Sequence, residues 1–253
     1  MNAISAVLYR DYRVRRTNPF LLFWDVMAPL AYLVLFGIGY QKLMSNGLAI
    51  DGQNLAYTAF LVPGVLGLVT FGIAVNTSWG LYMDKDSGIA QEMLTYPFTP
   101  RHMLLGKLGF NVLLALFSST ILLVVAAAAL NVSLRWEWLP AMLVVTVFAQ
   151  SAMFFILYVV AIKIHQMDAY NAVVGVMYVL MMFLSSMFYP LSTLPGWFQV
   201  VSYLNPITWQ VDLLRFGLLG LGTPSTLSIE AAALVSFTLA SLMVTLRALR
   251  PAE

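Results

Sequence analysis

Apolar residues in this sequence run in long blocks separated by short polar intervals, and few stretches alternate as a half-buried strand does. Five blocks, residues 20–40, 57–81, 103–130, 139–162 and 229–246, come close to or exceed the ~20 residues that a helix rising about 1.5 Å per residue needs to cross hydrocarbon. Lipid offers backbone groups no partners, so each block predicts a helix that satisfies its own N–H and C=O groups. A sixth block, 170–189, is followed by Pro190, Pro195 and Gly196, then by two interrupted apolar tracts over 197–204 and 207–221. This density of proline and polar positions predicts one full span followed by a hairpin over 190–221 that enters the membrane and returns. The expected fold is an all-α integral membrane protein of six transmembrane helices, with a re-entrant external helical hairpin between spans five and six.

Ahead of the first span, Ile4, Val7, Leu8 and Tyr12 recur at helical spacing while Arg10, Arg13 and Arg16 occupy another sector. Such a segment lies in the membrane surface with its arginines toward anionic headgroups. Asn18 and Pro19 then supply a break and a helix start. Residues 1–18 therefore form a cytoplasmic interfacial amphipathic helix, with no long apolar core of the kind a cleaved signal peptide carries. Residues 19–253 form a single transmembrane domain, within which 82–107 is a cytoplasmic segment suited to coupling.

Composition changes the picture mainly by exclusion. With 61% hydrophobic and 9% charged residues and a mean hydropathy of +0.85, the chain has far more apolar surface than a water-soluble domain. It has no cysteine, which removes disulfides and thiolate chemistry, and a net charge of +2 gives no footing for nucleic acid. The positions of the charges say more. With the N-terminus inside, Arg10, Arg13, Arg15, Arg16, Lys85, Arg101, Lys107, Lys163, Arg247 and Arg250 fall on the cytoplasmic side, and only Lys42, Arg135 and Arg215 fall opposite. Cations near span ends resist translocation, so this asymmetry predicts both termini inside. Tyrosines and tryptophans near the predicted span ends, among them Trp24, Tyr57, Trp79, Trp138 and Trp197, suit the headgroup level.

The most polar internal segment, YMDKDSGIAQEMLTYPFTPRHMLLGK over 82–107, predicts a short helix over 89–96. Pro97 and Pro100 end it, and Arg101 opens the next helix, which climbs into the third span. Lys107 lies near the start of that span, where it can snorkel or pair with Glu92 or Asp86. His102 and His165 have no neighbours at metal-ligand spacing and are read as ordinary interfacial residues.

Polar residues inside the spans are few: Asp25, Asn76, Asn111 and Gln150. Asp25 either lines an entrance or pairs with the cluster from Arg13 to Arg16, and Asn76 and Asn111 can join helices by hydrogen bonds. Asp212 and Arg215 stand three apart on one helix and can pair, either as a gate that holds the external hairpin shut or as static packing of that hairpin, and Asn205 before Pro206 can cap that helix. No nucleophile, base and orienter share one depth, which argues against a membrane enzyme. An ion-driven transporter would carry midspan charges or paired broken helices, and neither is evident.

The tracts FLVPGVLGLVTFG (60–72), QEMLTYPFTPRHMLLGK (91–107) and FYPLSTLPGWFQVVSYLNPITWQVDLLRFGLLG (188–220), in this order among six spans, resemble the membrane subunits of ABC-2 type exporters. That family exports lipo-oligosaccharides, polysaccharides and drugs. The resemblance implies a permease for a glycolipid, polysaccharide or hydrophobic drug-like solute in a bacterial cytoplasmic membrane, working as a homodimer with two ABC ATPase subunits. ATP and Mg would then be bound on that partner, with no cofactor, metal or catalytic residue in this chain. The nearest approach to a phosphate loop, Gly106-Lys107-Leu108, lacks the preceding glycines and the following Ser or Thr. By the same resemblance Arg13, Glu92, Arg101 and Lys107 would couple to the ATPase, while the polar residues of the spans and hairpin, Asp25, Asn76, Asn111, Asn205, Asp212 and Arg215, are the candidates for the pathway or its gate.

Overall fold

The computed structural model describes residues 2–43, 48–50, 53–95 and 99–249. Helix α1 (Ala3–Thr17) gives way at Asn18 to α2 (Pro19–Leu43), the break falling where the proline ring fixes φ and needs no N–H partner. Two three-residue strands follow, β1 (Leu48–Ile50) and β2 (Gln53–Leu55), paired antiparallel with Leu48 opposite Leu55. They are a small addition to a chain that is otherwise helical. The remaining helices are α3 (Tyr57–Asp86), α4 (Ile89–Thr95), α5 (Pro100–Ala129), α6 (Leu139–Lys163), α7 (Met167–Phe183), α8 (Gly196–Tyr203), α9 (Pro206–Leu219) and α10 (Pro224–Ala248).

Among the described residues five helices, α2, α3, α5, α6 and α10, are long and apolar enough to cross a membrane. The expected fifth span over 170–189 is instead the 17-residue α7, which stops at Phe183. Residues 184–189 continue as turns and bends. The cause is local competition for backbone groups: Ser185 Oγ donates to Met182 O at 2.8 Å, and Asn205 Nδ2 donates to Met181 O at 2.9 Å and Leu184 O at 3.0 Å. The carbonyls that would have continued α7 are already taken by side chains.

α3 is the axis of the structure. Its most apolar window is 83% buried, against 22% for α2 and 28% for α10, so α3 is surrounded by protein while the outer helices keep apolar flanks exposed. It packs against α2, α5, α6 and α9. One core cluster gathers Phe60, Leu61 and Leu66 with Leu122 and Leu214, and a second gathers Phe71, Tyr82, Phe154, Tyr158 and Tyr170. At Gly64 the backbone carbonyl of Met187 sits where a Cβ would be, so a side chain there would displace the irregular segment after α7.

Cross-chain bonds fix direction. Thr238 and Thr245 Oγ1 donate to Phe148 O (3.2 Å) and Phe155 O (3.0 Å), so α10 runs parallel to α6. In α9, Gln210 Oε1 accepts from Thr70 Oγ1 at 2.9 Å, and the Arg215 guanidinium lies 4.1 Å over the Phe60 ring. α9 therefore runs from the middle of α3 toward its first turn.

Candidate functional site

At the C-terminal end of α3, three helices meet through charges that are largely buried. Asp84, in the last turn of α3, takes Arg10 of α1 at 2.5 Å and Lys107 of α5 at 3.0 Å. Lys107 also stands 3.5 Å from both carboxylate oxygens of Asp11 in α1. Lys107, Asp11 and Asp84 are 3%, 7% and 8% exposed, so each charge depends on the others for the solvation it has lost. Burial pushes the Asp11 carboxyl up, against the pull of Lys107 and Arg10. The hydrogen bond to Asp84 raises Arg10. With two acids and two bases the group is neutral, the condition under which buried charges persist.

α1 can reach this position because α5 presents Gly106 to it. A Cβ at 106 would lie 2.6 Å from Val7 Cβ, so the close approach of the two helices requires glycine. Val7 is 1% exposed, and Asp11, one turn on, shares its buried face. The start of α5 is fixed as well: Thr99 Oγ1 accepts from His102 N and His102 Nδ1 accepts from Thr99 N, both at 3.3 Å, closing a capping box with Pro100 as first helical residue.

A second tie lies one level deeper. The Arg15 side chain pairs with the buried Asp25 of α2, and Asn76 Nδ2 of α3 donates to the other Asp25 oxygen at 2.6 Å. Between the two ties is a cavity of about 390 Å³ whose wall includes Arg15, Trp24, Asn76, Trp79, Lys107 and Phe110. The wall combines aromatic faces with the edges of paired charges, which suits an amphiphile better than an ion. Further in, Asn111 Nδ2 donates to Thr77 Oγ1 at 2.6 Å and to Ile73 O at 3.3 Å, and Gln150 donates to Asn111 Oδ1. These bonds lock α5 and α6 to α3.

At the same end, Lys85 Nζ donates to Ala161 O at 2.7 Å and to Ile164 O, satisfying carbonyls at the C-terminus of α6. α4 begins three residues after α3 ends, with Glu92 exposed on it. Arg101 and Arg13 are exposed too, the latter 5.9 Å from the Tyr9 ring centroid.

The far end of α3 holds the other polar group. Arg215 Nη1 donates to Asp212 Oδ1 at 2.6 Å and Arg215 Nη2 to Ser186 O at 2.9 Å, while Ser186 Oγ donates to Asp212 Oδ1 at 2.8 Å. Asn205 caps α9 by accepting from Ile207 N at 3.0 Å while its amide binds the carbonyls at the end of α7. One side chain thus joins two helix ends.

The family model for the ABC-2 type transporter matches residues 2–219. The chain belongs to that family. A transport permease of Cyanophora paradoxa, ycf38, is 26% identical over 214 residues, covering 79% of this chain and 69% of that protein. The inner membrane transport permease YadH of Escherichia coli is 24% identical over 221 residues, covering 85% and 84%. The multidrug ABC transporter permease YbhR of the same organism is 24% identical over 165 residues, and this chain spans 44% of its length. An ABC-2 permease is a multi-pass membrane transport subunit, and membership implies partnership with an ABC ATPase.

Within this ABC-2 permease the structure sorts the expected residues into two groups at opposite ends of α3. Asp25, Asn76 and Lys107, with Arg13, Glu92 and Arg101 on the nearby surface, lie toward its C-terminal end, and Asp212 and Arg215 toward its N-terminal end, while Asn205, at the start of α9, lies beside the middle of α3. Asn111 sits among the core bonds. Two expectations need correction. Lys107 pairs with Asp84 and Asp11, not with Glu92 or Asp86. The reason is helical: α3 continues through Asp86, and two residues on, Asp86 points about 160° away from Asp84 around the helix. The helix after the cytoplasmic segment opens at Pro100, not Arg101, because Thr99 is its cap. The predicted end of α4 at Tyr96, Arg250 and the Lys42 side chain lie outside the described residues. Sequence reasoning missed Asp11, whose signal was its place one turn after Val7 on the apolar stripe, and Glu230, a lone acid inside a predicted span.

Proposed function

We propose that this chain is the permease half of an ATP-driven exporter, working as a homodimer with two ABC ATPase subunits that bind ATP and Mg. In this reading α7 with residues 184–189 forms the fifth of six spans. α8 and α9 form a re-entrant hairpin on the outside, and both termini lie inside a bacterial cytoplasmic membrane. The positive charge collected at the α1 end supports that orientation. The aromatic cavity supports a glycolipid, polysaccharide or hydrophobic drug-like solute as cargo. The name of one relative, the multidrug ABC transporter permease YbhR, agrees with drug-like cargo.

The observation that carries the reading is the neutral group of Arg10, Asp11, Asp84 and Lys107. It binds α1 to the ends of α3 and α5, the two helices that flank α4. A motor pressing on α4 and the outer face of α1 then moves two spans together, because parting them would strand buried charges. The pathway opens between two copies of the chain, and the Asp212–Arg215 pair with the hairpin closes its outer end. The test is reconstitution with the partner ATPase in inverted vesicles. ATP-dependent uptake of a fluorescent lipid or dye that survives collapse of the proton gradient supports the reading, and uptake that follows the gradient and ignores ATP contradicts it.

A further inference from the structure

Among the remaining cavities, one near the N-terminal end of α3 holds buried polar atoms that have no hydrogen-bond partner among the described residues. Its volume is about 210 Å³, and its wall includes Phe60, Asp212, Arg215, Leu227 and Glu230. Asp212 already matches the charge of Arg215 at 2.6 Å. Glu230 is left over: it is 8% exposed, and among the described residues neither its Oε2 nor the buried Nε of Arg215 has a hydrogen-bond partner. A carboxylate so enclosed is costly without a cation or a donor close by.

We propose that this recess is a binding site for a small primary ammonium group, with Glu230 as its anionic anchor. With two acids, Asp212 and Glu230, and one base, Arg215, the recess is poorly suited to a metal ion, and among the described residues no three acidic or histidine side chains are gathered closely enough to hold one. An ammonium needs only one carboxylate plus neutral acceptors, and it brings three donors. Glu230 Oε2 supplies the charge, Asp212 supplies further acceptor capacity, and Leu227 and Leu221 give the adjoining carbon an apolar wall. The Arg215–Asp212 pair is neutral, so an ionised Glu230 leaves the recess with one negative charge, which favours a monovalent cation over an anion. The chemistry is shared by a free amine and by the headgroup of an aminophospholipid, and the recess is at the end of α3 where a headgroup can reach it. The site does not depend on the direction of transport or on ATP.

The full-length chain in nanodiscs of phosphatidylcholine and phosphatidylglycerol, dialysed against radiolabelled ethylammonium, provides the test. The expected result is saturable binding of one ethylammonium per chain. Glu230→Gln should weaken it at least about tenfold by removing the charge-assisted bond. Asp212→Asn should weaken it similarly, because Arg215 is then free to neutralise Glu230, and this variant keeps the test decisive should Glu230→Gln fail to fold. Glu137→Gln, a charge loss on the exposed surface, should bind as wild type does. Repeating the titration in phosphatidylethanolamine discs separates the sources: a lipid headgroup as occupant lowers the apparent affinity for ethylammonium, and a free amine leaves it unchanged. Absence of saturable binding to the wild-type chain, or equal binding by Glu230→Gln, overturns the proposal.

Discussion

Lys107 Nζ lies 3.0 Å from Asp84 Oδ2, joining the first turns of α5 to the last turn of α3 at a point where both side chains are almost wholly out of solvent. Neither residue could keep its charge there alone. With Arg10 and Asp11 they bring the N-terminal helix into the same bond, so that the surface a motor would press and the spans that must move share one electrostatic knot.

Lys107→Met should therefore destabilise the chain by about 3–5 kcal/mol, since it leaves Asp11 and Asp84 with Arg10 as their only base. Asp84→Asn made together with Lys107→Met restores charge balance and should cost less than the two single changes added. Thermal unfolding in detergent across this double-mutant cycle measures the coupling. Strict additivity would show that the pair is not linked.

Gly106→Ala should cost about 1–3 kcal/mol and loosen α1, because its Cβ would meet Val7 at 2.6 Å. Gly175→Ala is the matched control: nothing lies within 4 Å of a Cβ there, and the gain in helix propensity should stabilise α7 by up to about 1 kcal/mol. Proteolysis of the N-terminal segment reports on both.

Asp25→Ala removes an ion pair with Arg15 and a hydrogen bond from Asn76, leaving the Arg15 charge without its partner. A loss of about 3 kcal/mol is expected, against about 1 kcal/mol for Asn76→Leu, which strands only one polar bond. Equal losses would mean that the ion pair contributes little beyond the amide.

Glu92 separates coupling from stability. It is exposed on α4 and has no ion-pair partner among the described residues, so Glu92→Ala should shift stability by no more than about 0.5 kcal/mol. If α4 receives the motor, the same change should reduce substrate-stimulated ATP hydrolysis in the assembled complex. Unchanged stimulation would remove Glu92 from that role.

Much of this fold is legible in the sequence because hydrocarbon length and proline position are strong constraints. The break at Pro19, the long helices and the cap at Asn205 each follow from one local rule. Pairing of Asp25 with the arginine cluster and of Asp212 with Arg215 was open to the same reasoning, since both are short-range. Asp84 and Asp11 were not. Their partner Lys107 lies 23 and 96 positions away along the chain, respectively, and a reading confined to the loop favours the nearer Glu92 and Asp86. The early end of α7 was hidden for a related reason: it depends on Asn205, whose amide arrives from the next helix pair.

The central claim is that α1 and the α4 segment face an internal motor while the α8–α9 hairpin faces outward. The chain has no cysteine, so Val14→Cys, Thr99→Cys and Ser192→Cys each give a single thiol on a clean background. Treated in intact cells with a maleimide that cannot cross membranes, Ser192→Cys should be labelled while Val14→Cys and Thr99→Cys react only after the membrane is opened. Labelling of position 14 or 99 from outside intact cells would contradict the account, because the surface assigned to the ATPase would then lie across the membrane from ATP.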